Sequence, residues 1–515
     1  MSVRALDAAS QDTSEPADHV DVLVVGAGIS GIAAGYHVQH ECPGKTYAIL
    51  EARDSVGGTW DLFRYPGIRS DSDMYTLGFP FRPWDSDTSI ADGESILEYV
   101  RDTAREFGID KRIRFGHRAV SASWSSEQQR WTVEAERTDT GETVRLTCGF
   151  LFMCSGYYRY DQGYTPEFPG VERFQGRVVH PQFWTEDIDY AGKRVVVIGS
   201  GATAVTLVPS MADQAAHVTM LQRSPSYVVS LPGQDPLARV LRRVLPAKRA
   251  YAIIRWKNVL VTSAFFRLSR RQPELVKRLL RKGVQRRLPP GFDVDMHFKP
   301  RYNPWDQRMC LVPDGDLFEA ISLGQVSLVT DEIDTFTEHG IRLKSGKEIE
   351  ADLIVTATGL NLQPLGGLEP SIDGQPVDMP KSMVYKGCMF SGVPNLALSF
   401  GYTNASWTLK ADLICQFVTR LINHMDANGY TQCVPVNRDP TITETPFVDF
   451  TPGYFLRSMH QLPKQGSKLP WRLHQNYIRD LQLIKRAPLE DGVLDFSGSR
   501  DARPATSEAA VATAA

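Results

Sequence analysis

Two glycine-rich turns, each directly after a run of apolar residues, constrain the fold of this chain more than any other feature of its sequence. The first turn, GAGISG at residues 26–31, follows the strand-like run DVLVV at 21–25 and precedes a helical pattern over residues 32–39. In such a unit the first glycine makes the turn, the second lets a pyrophosphate approach, and the third lets helix and strand pack closely. The pattern predicts a doubly wound α/β unit with a dinucleotide at the turn.

The second turn, GSGATA at residues 199–204, follows the strand-like run 193–198 and predicts a second unit of the same kind. The two differ at the end of the next strand, where the first has Glu51 and the second has Arg223. A carboxylate accepts hydrogen bonds from a ribose diol and repels a 2'-phosphate, whereas an arginine binds that phosphate. We therefore assign FAD or NAD to the first site and NADPH to the second, with a surface role of Arg223 as the alternative.

The cofactor-binding residues predicted from these motifs fall into two groups. The first site is predicted to use Gly26, Gly28, Ser30, Gly31 and Glu51, and the second Gly199, Ser200, Gly201, Ala202, Thr203, Arg223 and Ser224. One FAD site and one NADPH site in a single chain predict hydride transfer from nicotinamide to flavin.

Composition excludes several other classes of protein. A chain of 515 residues with 42% hydrophobic and 23% charged residues has room for two or three domains. Its net charge of -3 gives no reason to expect a nucleic-acid partner. Seven scattered cysteines without a C-x-x-C pair predict reduced thiols and no metal site, and they disfavour a disulfide reductase. We expect a cytoplasmic protein, because we find neither a secretory signal nor an apolar run of roughly 18 residues.

The pattern of elements predicts the order of domains along the chain. We expect disordered tails at residues 1–18 and 497–515. The FAD-binding domain is predicted at 19–158 and 353–496, the NADPH-binding domain at 159–230 and 301–352, and a basic helical insert at 231–300. Within the first part, the sequence SILE at 95–98 predicts the start of a helix that ends before Gly108. The fold class is thus α/β, with two Rossmann-like dinucleotide-binding domains and an inserted helical subdomain.

The insert has an unusual charge. Residues 239–287 contain sixteen Lys or Arg and one acid, Glu274, interleaved with aliphatic residues. We favour the interpretation that these are helices with a solvated face packed on the core. The alternative hypothesis is peripheral contact with an anionic membrane, which would make the protein membrane-associated.

Two longer motifs carry a resemblance to a known family. Phe174, Gly176, His180 and Trp184 match the pattern F-x-G-x-x-x-H-x-x-x-W, and residues 57–71 match a second pattern that runs from GGTW through YPG to Asp71. In both respects the chain resembles the Baeyer-Villiger monooxygenases, over residues 20–495. Stretches such as YNPWDQR and GYTNASWTLKADL are similar to a mycobacterial, ethionamide-activating branch of that family.

The resemblance implies roles for particular residues. Arg308 and Asp71 would be catalytic, since a guanidinium that keeps its proton can stabilise developing negative charge. The FAD contacts would extend to Gly58, Thr59, Trp60, Asp71 and Tyr75, and the four residues of the fingerprint would form a hinge between the domains. The chain has Thr185 where the family usually has Pro or Asp, and Gln307 where a lysine often helps bind NADPH.

The expected reaction is therefore a monooxygenation that uses FAD, NADPH and O2. The substrate would be a small hydrophobic ketone, which gives an ester, or a sulfide or thioamide oxidised at sulfur. The alternatives are an N- or S-hydroxylating flavin monooxygenase and a non-catalytic flavin-binding protein. The paired Asp71 and Arg308 favour the ketone-oxidising interpretation.

Overall fold

The strand that precedes the first glycine turn lies at the centre of a parallel sheet. In the computed structural model, which describes residues 18–498, this strand is Asp18–Val25. It pairs in parallel with Tyr47–Leu50 on one side and Thr143–Met153 on the other. Val22 and Val24 pack into one apolar cluster while Leu23 and Val25 pack into another, so both faces of the strand are covered.

We call the domain built on this sheet the first unit. Its sheet has eleven strands within the described residues: Asp18–Val25, Tyr47–Leu50, Ile113–Arg114, His117–Ser125, Arg130–Arg137, Thr143–Met153, Glu369–Ile372, Gln375–Pro376, Val384–Tyr385, Met389–Phe390 and Leu396–Leu398. The strand Leu396–Leu398 pairs in parallel with Thr143–Met153, so a segment from far along the chain completes the parallel part of the sheet.

A second parallel sheet forms the second unit. Its strand order is Val326–Thr330, His217–Gln222, Arg194–Ile198, Leu353–Thr356 and Arg177–Val179. Val195 and Val197 belong to one core cluster, Val196 and Ile198 to another, which repeats the two-sided burial of the first unit. The predicted α/β class with two Rossmann-like units is confirmed by this architecture.

Thirteen α-helices lie in the described part of the chain. They are α1 (Ile29–Glu41), α2 (Thr59–Leu62), α3 (Met74–Leu77), α4 (Gly93–Glu106), α5 (Ala202–Ala212), α6 (Pro236–Val244), α7 (Ala247–Arg271), α8 (Pro273–Gln285), α9 (Val294–Phe298), α10 (Asp316–Ser322), α11 (Trp407–Ala427), α12 (Gly453–Ser458) and α13 (Tyr477–Asp480). A π-helix follows at Leu481–Arg486. No helix among residues 18–498 is long and apolar enough to cross a membrane.

The remaining strands form small sheets at the junctions. They are the pairs Val228–Leu231 with Cys310–Pro313, Tyr158–Gly163 with Leu360–Leu362, Gln432–Pro435 with Leu494–Ser497, and Glu444–Pro446 with Lys464–Gly466, and the three-stranded sheet Ile333–Thr337, Gly340–Leu343 and Glu348–Glu350. The first of these pairs flanks the insert, because α6 to α9 lie between its two strands in the sequence. The second pair joins the two segments that connect the units, so the connection is a two-stranded ribbon.

Two details differ from the sequence-based expectations. Helix α4 begins at Gly93 rather than at the SILE sequence, because Asp92 is the N-cap and its carboxylate accepts a hydrogen bond from the Ser95 amide. The strand Leu353–Thr356 pairs inside the second sheet, so the chain returns to the first unit after Thr356 and not at residue 353. The other predicted boundaries stay predictions.

The predicted tails fall almost entirely outside the described residues. At their inner ends, Asp18 already opens the first strand, and Ser497 closes the strand Leu494–Ser497.

Candidate functional site

One large cavity lies between the carboxyl ends of the two parallel sheets. Its volume is about 1320 Å³, and it is continuous from Gly26 and Glu51 in the first unit to Gly199 and Arg223 in the second. Ligand pockets for one molecule usually measure roughly 300–1,000 Å³. A cavity of this size, open to both glycine turns, has room for two dinucleotides.

The first glycine turn forms the floor of one end of this cavity. Gly26 has φ +104°, and a Cβ there would lie 2.7 Å from the Cys154 carbonyl oxygen. A Cβ on Gly31 would lie 1.8 Å from the Gly26 carbonyl oxygen. Both positions therefore require glycine, and the turn directs the N-terminus of α1, with its partial positive charge, into the cavity.

Glu51 lies beside this turn, with its carboxylate already oriented. Its Oε2 accepts a hydrogen bond from the Ala27 amide at 2.7 Å, and its Oε1 accepts one from the Arg53 amide at 3.0 Å. Burial raises the pKa of the Glu51 carboxyl, and these two hydrogen bonds oppose the rise. The remaining lone pairs face the cavity, which suits the ribose diol of FAD.

The residues of the GGTW motif line the same end. Gly58 is the N-cap of α2, and Thr59 and Trp60 follow it on the cavity wall. Ser30 also lines the wall, and its hydroxyl accepts a hydrogen bond from the Trp407 indole at 2.7 Å.

Tyr75 lies elsewhere, outside the cavity lining. Its ring is buried against the insert beside Tyr251, and its hydroxyl donates to the Ser86 carbonyl at 2.9 Å. The structure therefore lends no support to a direct flavin contact by Tyr75.

The second glycine turn forms the other end of the cavity. Gly199 has φ +144°, and a Cβ there would lie 2.3 Å from the Ala357 carbonyl oxygen. The Ser200 hydroxyl donates to the Ser224 carbonyl at 2.8 Å and so joins the turn to the end of the next strand. Gly201, Ala202 and Thr203 continue along the cavity into the first turn of α5.

Arg223 is exposed at the rim of this end. Its guanidinium makes no ion pair with any described residue. The nearby Glu332 is paired with Lys344 at 2.6 Å, which is the main reason for its lowered pKa; Arg223 adds to the effect. Arg223 is thus available for a 2'-phosphate, and the residues of this end fit NADPH.

Arg308 and Asp71 meet between the two ends, although 237 positions separate them. The Arg308 Nε lies 2.6 Å from Asp71 Oδ2, and its Nη2 donates to Asp71 Oδ1 at 2.8 Å. This two-bonded arrangement fixes the plane of the guanidinium. Burial alone would lower the pKa of Arg308, but the charge of Asp71 raises it above its usual value.

Three tyrosines that the sequence did not single out surround this pair. They are Tyr157, Tyr158 and Tyr454. Burial is the main cause that raises the pKa of each hydroxyl, so all three stay neutral. The Tyr157 hydroxyl donates to that of Tyr158 at 3.2 Å. Arg308 is therefore surrounded by neutral aromatic groups, and Asp71 is its carboxylate partner.

The fingerprint motif lies at the ribbon that joins the units. His180 Nε2 lies 3.0 Å from the Gly359 carbonyl, and its Nδ1 accepts a hydrogen bond from the Gln182 amide at 3.2 Å. These partners require the neutral tautomer with the proton on Nε2, and burial lowers the pKa of the ring. The Gln182 side chain donates to the carbonyls of Arg159 and Tyr160 in the opposite strand. His180 and Gln182 thus attach to both connecting segments.

The other fingerprint residues pack against the second unit. Phe174 lies in the core cluster that contains Phe336. A Cβ on Gly176 would lie 2.5 Å from the Asp352 carbonyl oxygen, so that position requires a bare backbone. Trp184 contacts the edge of Tyr190 and does not line the cavity.

Comparisons with known proteins agree with this geometry. The flavin-binding monooxygenase-like family matches residues 19–389. The FAD-containing monooxygenase EthA of Mycobacterium tuberculosis (strain ATCC 25618 / H37Rv) is 58% identical over 481 residues, which cover 93% of this chain and 98% of that protein. EthA of Mycolicibacterium smegmatis is 55% identical over 491 residues, with 95% and 99% covered. A solved structure of oxidized steroid monooxygenase bound to NADP superposes with a TM-score of 0.67 at 25% identity, covering 81% of this chain and 88% of that one.

Proposed function

Since the chain belongs to the flavin-binding monooxygenase-like family and is a flavin-dependent monooxygenase, we propose that it is of the Baeyer-Villiger type and oxidises ketones to esters. The balanced reaction takes ketone, NADPH, a proton and O2 to ester, NADP+ and water. One oxygen atom enters the carbon chain next to the carbonyl, and the other leaves as water. Sulfides or thioamides would accept the same oxygen atom at sulfur.

The observation that carries this proposal is the Arg308–Asp71 pair between the two dinucleotide ends of one cavity. Attack on a ketone carbonyl places negative charge on its oxygen, and a group that stabilises this charge must not give up a proton. Arg308 meets that requirement, since its pKa is raised. Asp71 holds the guanidinium in one orientation, so no reorganisation is needed during the reaction.

The other residues bind and orient. When bound, FAD accepts a hydride from NADPH and supplies the oxygen atom derived from O2. Glu51 would hold the FAD ribose, and Arg223 would hold the 2'-phosphate of NADPH. The neutral tyrosines around Arg308 carry no charge that would compete with the substrate oxygen for the guanidinium.

Product analysis with matched variants tests the proposal. The holoenzyme would receive NADPH, oxygen labelled with ¹⁸O and a ketone such as 2-octanone or phenylacetone. We expect an ester with one labelled oxygen from the wild type. In Arg308→Ala, ester formation should fall about 10²–10³-fold while the FAD content is unchanged.

The control is Arg342→Ala, because Arg342 also pairs with a carboxylate, Asp334, at 2.9 Å but lies away from the cavity. It should form ester at the wild-type rate. Wild-type ester formation by Arg308→Ala would remove Arg308 from its role. N-oxide formation from an added tertiary amine, with no ester from any ketone, would instead support the N- or S-hydroxylating class.

We also propose that the protein makes peripheral contact with a membrane, in addition to binding O2 and a ketone or sulfide. Contact of residues 239–287 with an anionic membrane is supported by the charge of this segment, with sixteen Lys or Arg and one acid.

A further inference from the structure

The outer face of α7 exposes large apolar side chains in its middle. Ile253, Trp256 and Leu260 are 47%, 45% and 53% exposed, and they follow the i, i+3, i+7 spacing of one helix face. We call these three residues the apolar stripe. Further exposed aliphatic side chains lie on the same three-helix segment: Val240 and Val244 on α6, Val261 and Leu268 on α7, and Leu275 and Leu279 on α8. A single exposed leucine needs no explanation, but three large apolar residues on one face of one helix are typical of an interaction surface.

Cations without partners surround this apolar surface. Several other basic residues of the insert do have carboxylate partners, such as Arg242 with Asp85 and Asp87, and Arg281 with Asp295. In contrast, eight exposed cations make neither an ion pair nor a side-chain hydrogen bond with any residue of 18–498: Arg243, Lys248, Arg249, Arg267, Arg271, Arg278, Lys282 and Arg286. On α7 itself, Arg249 lies at one end of the apolar stripe, and Arg267 and Arg271 lie beyond the other.

The inner face of α7 is fixed to the first unit, so the outer face is held rigidly. The buried Arg255 donates to the carbonyls of Tyr75 and Gly78 at 2.7 and 2.8 Å. Near the other end, Arg270 pairs with Asp306 at 2.6 Å. Because the helix is already folded, binding does not have to order its backbone.

The same helix touches the loop that carries the active-site arginine. The rings of Phe265 and Phe266 lie 6.5 and 5.8 Å from the ring of Trp305, three residues before Arg308. One face of α7 therefore contacts the loop that contains Arg308, and the opposite face exposes the apolar stripe.

We propose that helices α6 to α8 dock on an anionic lipid bilayer, with α7 lying in the plane of the interface and the apolar stripe at the boundary between headgroups and acyl chains. A cationic surface with a central tryptophan and aliphatic residues is the pattern of such interfacial helices. Charge disfavours a symmetric contact with a second copy of this chain, because it would bring the eight cations of each copy together. The docked orientation brings the loop with Arg308 close to the membrane.

Vesicle co-sedimentation of the full-length holoenzyme tests the proposal. Vesicles of equal parts phosphatidylglycerol and phosphatidylcholine would be compared with pure phosphatidylcholine, at low salt and at 0.5 M salt. The apolar variant is Ile253→Glu with Leu260→Glu, which spares Trp256 because its ring contacts Tyr477 at 5.9 Å, and the charge variant is Arg267→Glu with Arg271→Glu. The matched control is Leu323→Glu, because Leu323 is 67% exposed at the end of α10 in the second unit.

We expect the wild type and the control to bind the anionic vesicles at low salt. The affinity of each double variant should fall at least about tenfold, with unchanged FAD content and melting temperature. No wild-type binding, or equal binding by all variants, would overturn the proposal. A dimer in light scattering that the apolar variant disrupts, or retention on polyglutamate without vesicle binding, would overturn the proposal in favour of a protein partner.

Vesicle binding and the proposed reaction are tested by separate measurements. Ester formation from a water-soluble ketone without vesicles measures the reaction alone, and the double variants should keep it. Loss of docking with intact ester formation therefore refutes only the membrane surface.

Discussion

A buried ion cluster between α1 and α11 predicts that the first unit loses stability at alkaline pH. His37 lies between two carboxylates, with Nδ1 2.8 Å from Glu41 Oε1 and Nε2 2.9 Å from Asp412 Oδ1. Both ring nitrogens therefore act as donors, which requires the imidazolium form. Burial alone would lower the pKa of His37, but the hydrogen bonds and charges of Asp412 and Glu41 raise it from 6.5 to about 9.

The magnitude follows from linkage between protonation and folding. Because the folded pKa lies above the unfolded pKa, the stabilisation is fully present below pH 6.5 and is lost as the pH rises through about 9. At 1.36 kcal/mol per pH unit, the free energy of unfolding should fall by about 3 kcal/mol across this window. For the first unit, which has about 280 residues by the predicted bounds, this corresponds to roughly 5 °C in melting temperature, since the unfolding entropy is about 2.1 cal/mol/K per residue.

Thermal unfolding between pH 6 and 9.5 measures the effect, with His37→Gln as the test variant. Glutamine carries no charge, so the variant should melt lower at pH 6 and should show a flatter dependence on pH. The control is His217→Gln, since His217 bonds only a hydroxyl, Ser327, at 2.8 Å and should leave the wild-type dependence unchanged. If the melting temperatures of the wild type and of His37→Gln changed with pH in the same way, His37 would not be the charged centre of this cluster.

Three further predictions concern the cofactor sites and the hinge. Arg223→Gln should raise the KM for NADPH roughly 10–100-fold and leave that for NADH unchanged, as steady-state kinetics with both cofactors would show. Gly31→Ala should abolish FAD retention, because its Cβ would lie 1.8 Å from a carbonyl oxygen, whereas Gly44→Ala, with nothing within 4 Å, should retain FAD in absorbance spectra. Because the folded pKa of His180 lies below 6.5, the contribution of the neutral ring is present above that pH and is lost as the pH falls through the folded pKa. His180→Gln should therefore lower kcat at pH 8 and remove this acidic limb from the pH profile; an unchanged limb would exclude the hinge role.

Local chain geometry made both dinucleotide ends predictable. Each turn needs glycine at fixed positions, and a charged residue that lines the cavity follows at the end of the next strand, so Glu51 and Arg223 could be located from spacing. The pairing of Asp71 with Arg308 has no local signal, because the two lie 237 positions apart; only the family resemblance brought them together.

Other parts of the site could not be found from the sequence. Tyr454 and Trp407 reach the cavity from the returning half of the first unit, and the indole of Trp407 bonds Ser30 across 377 positions. Tyr75 lies close in sequence to Asp71, yet α7 covers it and turns it away from the cavity. These contacts join residues that are far apart in the sequence and depend on where the insert packs. The hydrophobic periodicity of the sequence predicts single elements and does not predict such packing.

The order in which the strands leave the ribosome differs for the two units. All five strands of the second sheet lie between residues 177 and 356. The first sheet is complete only when Leu396–Leu398 pairs with Thr143–Met153. In the same way, His37 of α1 gains its partner Asp412 only when α11 has been synthesised. A strand cannot pair before it has been synthesised, so the second unit can complete its sheet while the first is still open. A chain interrupted before Leu396 would therefore contain every strand of the second sheet, while the first sheet would lack the strand that completes its parallel part.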